Sequence, residues 1–119
     1  MQQMPLAERH PARYLVNRPM SAFTEALRVL RTVILYSKLD FSVKVVAVTS
    51  ALPDEGKTTI SMCLARVAAM SGQRVCVVDC DLRKQSINDV IDIGTDVGIL
   101  QVLAGEAPFS DPPPGGAVV

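Results

Sequence analysis

Nine residues of nearly continuous apolar character, SVKVVAVTS at 42–50, run into the polar loop ALPDEG and then into helical spacing. That order restricts the fold more than any other feature of the chain. A run rich in β-branched residues and apolar on both faces suits a central parallel strand covered on two sides. After the loop, Ile60, Leu64 and Val67 recur at helical spacing up to Met70, and Ala65, Ala68 and Ala69 permit close packing. SGQR at 71–74 supplies a glycine stop, and VCVVDCD from Val75 begins a second buried strand. Strand, loop, helix, turn and strand make one βαβ unit with a right-handed crossover. Two strands alone leave most of their apolar faces uncovered. The predicted fold is therefore the first half of an α/β domain, three-layered around a parallel sheet and truncated after its first βαβ unit.

The rest of the 119 residues divides around that unit. Residues 1–20 hold Pro5, Pro11, Pro19 and several charges without an apolar period, which predicts a flexible arm with His10 solvated in it. From Ser21 to Ser37, Phe23, Leu27, Leu30 and Ile34 form one apolar helical stripe, with Ser21 as N-cap. Glu25, Arg28 and Arg31 fall three apart on a different face; taken alone, they describe a solvated helix surface. A further helix over Ile99–Ala104 is closed by Gly105, so 21–106 is the domain part, and the proline- and glycine-rich 107–119 is an extended tail.

Composition narrows the partners. Lys plus Arg and Asp plus Glu balance at 12 each, which argues against a general electrostatic grip on nucleic acid or acidic lipid, so any charged ligand is met locally. Hydrophobic residues make up 49% of the chain but aromatics only 4%, so the core is aliphatic. Cys63, Cys76 and Cys80 are odd in number and lack CxxC spacing, which predicts reduced packing thiols in a cytoplasmic chain. The N-terminus lacks the apolar segment of a signal peptide, and no run approaches the roughly 18–20 apolar residues that span a bilayer.

The loop after the first strand has the spacing Ala51-x-x-x-x-Gly56-Lys57-Thr58. A phosphate cradle needs inward N–H groups, a residue without Cβ at the closest approach, and a helix N-terminus to add its field. Gly56 meets the second need; Lys57 can bridge β- and γ-phosphates, Thr58 can ligate Mg²⁺, and Thr59 can reach the α-phosphate side. The carboxylates of Asp54 and Glu55 are expected to face outward, because they would repel a triphosphate. The fold class is accordingly P-loop NTPase-like. Asp79 and Asp81 end the second strand, where open parallel sheets bind ligands. One can hold Mg²⁺ through its water shell and the other can accept a hydroxyl proton, while Arg83 can neutralise phosphate charge. Strand-end acids that merely cap the next helix are the plainer alternative.

In order along the chain, EALRVLRT, ALPDEGKTT, VVDCDLR and VGILQVLAGE resemble the ExxRxxR helix, Walker A, Walker A′ and GLxxxLxG segments of the bacterial tyrosine kinases of capsule and exopolysaccharide assembly. The resemblance covers about residues 19–106. It implies ATP and Mg²⁺ as cofactors, a nucleotide loop comprising Pro53, Asp54, Glu55, Gly56, Lys57, Thr58 and Thr59 with Arg83 nearby, and Thr58 and Asp79 at the metal. Lys57, Asp79 and Asp81 become the catalytic set, with Asp81 activating a tyrosine hydroxyl. Glu25, Arg28 and Arg31 become an oligomerisation surface through which kinase subunits associate. It further implies protein tyrosines as substrates, a transmembrane chain-length regulator as activator, and a cytoplasmic place at the inner face of the membrane through that partner.

Departures from the family pattern are Asp54 in place of the small residue of PGEGK and Gln85 in place of a proline. No Walker B strand follows Glu106, and the only tyrosines are Tyr14 and Tyr36. A non-catalytic nucleotide-binding or docking module is therefore the alternative. Partition and septum-site ATPases of the same fold carry a lysine four residues before the motif glycine; Leu52 stands there and disfavours them.

Overall fold

The computed structural model describes residues 10–37, 42–81, 83, 87 and 99–106. The chain divides into two compact units, Met1–Arg74 and Val75–Val119. Among the described residues the first holds three helices: α1 at Pro11–Asn17, α2 at Ala22–Leu35 and α3 at Lys57–Met70. Helix α3 packs on both α1 and α2.

Helix α1 lies where a flexible arm is expected from the prolines, and those prolines help to form it. Pro11 occupies the first turn, where its missing N–H costs nothing and its fixed φ suits a helix. His10, extended at φ −65° and ψ 134°, accepts the Ala12 N–H on Nδ1 at 3.2 Å and so acts as N-cap. Pro19 excludes helical backbone at Arg18, which leaves the helix at φ −132°. The face at Ala12 and Leu15 is buried, with Leu15 at 0% exposure.

The corner into α2 is held by polar groups. The Arg18 carbonyl accepts the Ser21 N–H at 3.1 Å and the Thr24 hydroxyl at 2.9 Å. Ser21 is the N-cap, as the sequence predicts, and takes the Thr24 N–H at 3.2 Å. Thr24 is fully buried, and these bonds satisfy its hydroxyl. Tyr14 and Phe23 meet edge-on at 6.2 Å across the corner.

Burial on α2 centres on Thr24 and Leu27, while Phe23 and Leu30 of the expected stripe stay two-fifths exposed. On α3 the buried residues are Met62, Cys63, Ala65 and Val67. They span more than half the helix circumference because two helices cover it, and that breadth erases the simple apolar period. Of the predicted face, Val67 is buried, Leu64 is half-buried and Ile60 is exposed. Cys63 is buried as expected and burial pushes its thiol pKa up, whereas Cys76 and Cys80 are exposed, unlike the packing thiols predicted.

Gly72 (φ +82°) ends α3, with the Gln73 N–H on the Ala68 carbonyl at 3.1 Å and the Gly72 N–H on Ala69 at 2.9 Å. Gly105 closes the short second-unit helix α4, Ile99–Leu103, by the same pair of bonds. No strand forms among the described residues, and in the segment expected as a covered strand Val45 is 87% exposed. From Val75 to Asp81 exposure alternates residue by residue, the period of extended backbone. No helix among the described residues is long and apolar enough to cross a membrane. The segments 1–9 and 107–119 lie outside the described residues.

Partial burial lowers the pKa of His10, whose Nδ1 is the capping acceptor, from the ordinary 6.5. The unfolded chain then binds the proton more readily, so the cap's contribution is complete above pH 6.5 and is lost as pH falls through the lower folded value. The protection factor of the Ala12 amide, after correction for the intrinsic slowing of exchange in acid, should fall on acidification through that window. In His10→Asn, which keeps a capping oxygen, it should not. His10 is the only histidine in the chain, so the window reports on it directly.

Candidate functional site

The loop between the apolar segment and α3 is shaped by two left-handed residues. Asp54 adopts φ +59° and Gly56 φ +86°, while Glu55 between them has negative φ and Lys57 begins the helix. Aspartate tolerates this region better than most side chains, and glycine adopts it freely. Alternating hand along successive residues turns their N–H groups toward one concave side, the geometry of an anion-binding nest.

That concavity opens on the start of α3. Gly56 is its N-cap and offers no side-chain acceptor, and the first turn holds no acidic residue. The first main-chain bond runs from the Ile60 N–H to the Gly56 carbonyl at 2.9 Å. The amides of Lys57, Thr58 and Thr59 precede it, in the turn where a helix has no acceptor of its own to give. Their side chains are half-buried there. A Cβ built on Gly56 meets nothing within 4 Å, so backbone conformation, not crowding, calls for glycine at this position. A terminal phosphate fits this donor set: uncapped amides, the helix field and a lysine ammonium. The Thr58 hydroxyl, in the same turn, is the group able to serve Mg²⁺.

Of the two loop carboxylates, that of Glu55 is turned back onto the loop. Glu55 accepts the Leu52 N–H at 3.1 Å, and the Ser50 hydroxyl donates to the Leu52 carbonyl at 2.7 Å. Sequence reading missed both contacts; the serine and glutamate flanking the proline were the available signal. Pro53 lies in the exposed turn between them.

Asp79, Asp81 and Arg83 lie together in the second unit, in a chain of side-chain turns. The Asp79 carboxylate takes the Asp81 N–H at 3.0 Å, and the Asp81 carboxylate takes the Arg83 N–H at 3.2 Å. Both aspartates are half-buried and Arg83 is exposed. Among the described residues no three His, Cys, Asp or Glu side chains gather as a metal site.

On α2 the three residues have different partners within the chain. Arg28 pairs with Glu25 at 3.0 Å within the helix. Arg31 donates from Nε to Gln73 Oε1 at 2.8 Å, joining α2 to the turn that ends α3. The partners stand 42 residues apart, so no local pattern could have revealed the bond.

A loop of alternating hand thus opens on an uncapped helix start, and comparison with known proteins places the chain among its relatives. It is 34% identical over 91 residues to a protein of Escherichia coli K12 named tyrosine-protein kinase etk, and 38% identical over 88 residues to tyrosine-protein kinase YwqD of Bacillus subtilis. It is also 34% identical over 96 residues to the succinoglycan biosynthesis transport protein ExoP of Rhizobium meliloti. These alignments cover 76%, 74% and 81% of this chain in turn. The chain belongs to the bacterial tyrosine-kinase family. It spans 12% of the length of etk and of ExoP and 37% of YwqD. No protein-family model matches it, and no solved structure matches at a significant level.

The helix-joining bond is measurable. Arg31→Ala and Gln73→Ala should each lower stability by about 0.5–1.5 kcal/mol in chemical denaturation, with a coupling of about half that or more in the double variant. Arg28→Ala, which breaks only an exposed pair, should cost under about 0.5 kcal/mol.

Proposed function

We propose that this chain is the ATP-binding portion of a bacterial protein-tyrosine kinase of exopolysaccharide or capsule synthesis. The observation that carries the proposal is the loop from Asp54 to Lys57, whose alternating hand opens onto the uncapped start of α3. Kinship with named tyrosine kinases supplies the reaction class.

In this reading the amides of Gly56 to Thr59 surround the β- and γ-phosphates, and the Lys57 ammonium neutralises charge between them. Thr58 is the group of this loop that would serve Mg²⁺ and Asp79 is the carboxylate that the family resemblance assigns to it; the ion would offset charge on the phosphate oxygens. Asp81 accepts the proton of a substrate tyrosine as its oxygen bonds to the γ-phosphorus. The bond from that phosphorus to the bridging oxygen breaks, and ADP leaves carrying the electron pair. Arg83 balances phosphate charge.

The fold that would serve this chemistry is a three-layer α/β P-loop domain in which 42–50 and 75–81 are strands of a parallel sheet. The residue-by-residue alternation of exposure at Val75–Asp81 suits a strand there. Kinase subunits associate through α2, and a transmembrane chain-length regulator holds the assembly at the inner face of the membrane.

The test is titration of the 119-residue chain with ADP and Mg²⁺. Saturable binding is expected, weakened about 10- to 100-fold in Lys57→Met, as loss of a charged hydrogen-bond partner predicts. Absence of binding to the unaltered chain overturns the reading. Binding without phosphotyrosine on any added substrate or kinase subunit would identify a non-catalytic docking module instead.

A further inference from the structure

We propose that Glu55 and Ser50 are positioning residues that clamp the Leu52 peptide groups and thereby preset the curvature of the phosphate loop. The proposal rests on the nucleotide-binding reading above and concerns how that loop is held.

Two side chains from opposite ends of the loop converge on one residue. Ser50 donates to the Leu52 carbonyl at 2.7 Å, and Glu55 accepts the Leu52 N–H at 3.1 Å. The segment Leu52–Glu55 is thus a four-residue turn closed by a carboxylate in place of a main-chain bond. Inside it lie Pro53, with φ fixed by its ring, and Asp54, in the left-handed region at φ +59°. A non-glycine residue there is strained, and such backbone persists where neighbouring bonds determine it. The clamp supplies those bonds immediately before Gly56, where the change of hand creates the concavity.

Charge points the same way. A carboxylate beside a phosphate site opposes anion binding. A glutamate in this position is understandable when its acceptor oxygen is needed more than its charge is harmful. Its bond to Leu52 engages an amide upstream of those at Lys57–Thr59, so the clamp leaves the helix-start donors to the ligand.

Glutamine retains the acceptor and removes the charge, whereas alanine removes both. The clamp predicts that Glu55→Gln binds ADP·Mg²⁺ at least as tightly as the unaltered chain and Glu55→Ala about three- to tenfold more weakly than Glu55→Gln. Ser50→Ala should weaken binding by a similar factor, and Ser50→Thr should restore it. If alanine and glutamine at 55 bind equally, charge alone matters and the proposal is overturned.

A second measurement is independent of nucleotide. Hydrogen exchange of the Leu52 amide should quicken several-fold in Glu55→Ala and stay slow in Glu55→Gln. Unchanged exchange in the alanine variant defeats the clamp even if the chain binds no nucleotide, whereas quickened exchange with no ADP binding upholds the clamp and removes the nucleotide reading.

Discussion

Helix α3 starts at a glycine that gives its first-turn amides no side-chain acceptor, and the rest of the first unit can be understood from that helix. Its N-terminal turn faces a loop of alternating hand, its body carries Met62, Cys63, Ala65 and Val67 into the core, and its end is locked by Gly72. Open N–H donors favour an external anion only if the helix stays in place without one. Packing of α1 and α2 along α3 meets that condition, since burial of its middle holds the helix whatever happens at its start.

The helix starts and stops were legible from sequence because they depend on single residues. Ser21 at the head of α2, Gly72 after α3 and Gly105 after α4 each act through local bonds that their neighbours dictate. The buried faces were less legible. A periodicity argument assumes one covered side; α3 is covered by two helices, and its buried arc shifts away from Ile60 and Leu64. Helix α1 escaped because prolines were read as breakers, although Pro11 stands in the one turn that welcomes it.

The candidate site divides in the same way. The residues from Gly56 to Thr59 follow from the motif's spacing, and the structure places them around one helix start. The clamp on Leu52 and the Arg31–Gln73 bond depend on chain geometry that spacing does not encode. The α2 trio shows the difference most clearly: Glu25 and Arg28 form the i,i+3 pair that sequence suggests, while Arg31 is engaged by a turn 42 residues away.

The corner between α1 and α2 has a mechanical consequence. One carbonyl, that of Arg18, receives both the Ser21 amide and the buried Thr24 hydroxyl, and Pro19 stiffens the step between them. Such a joint behaves as an elbow with a set angle, not as a tether. Losing the Thr24 hydroxyl would leave that angle to the Ser21 bond and Pro19 alone, and so loosen the heading of α1 against α2.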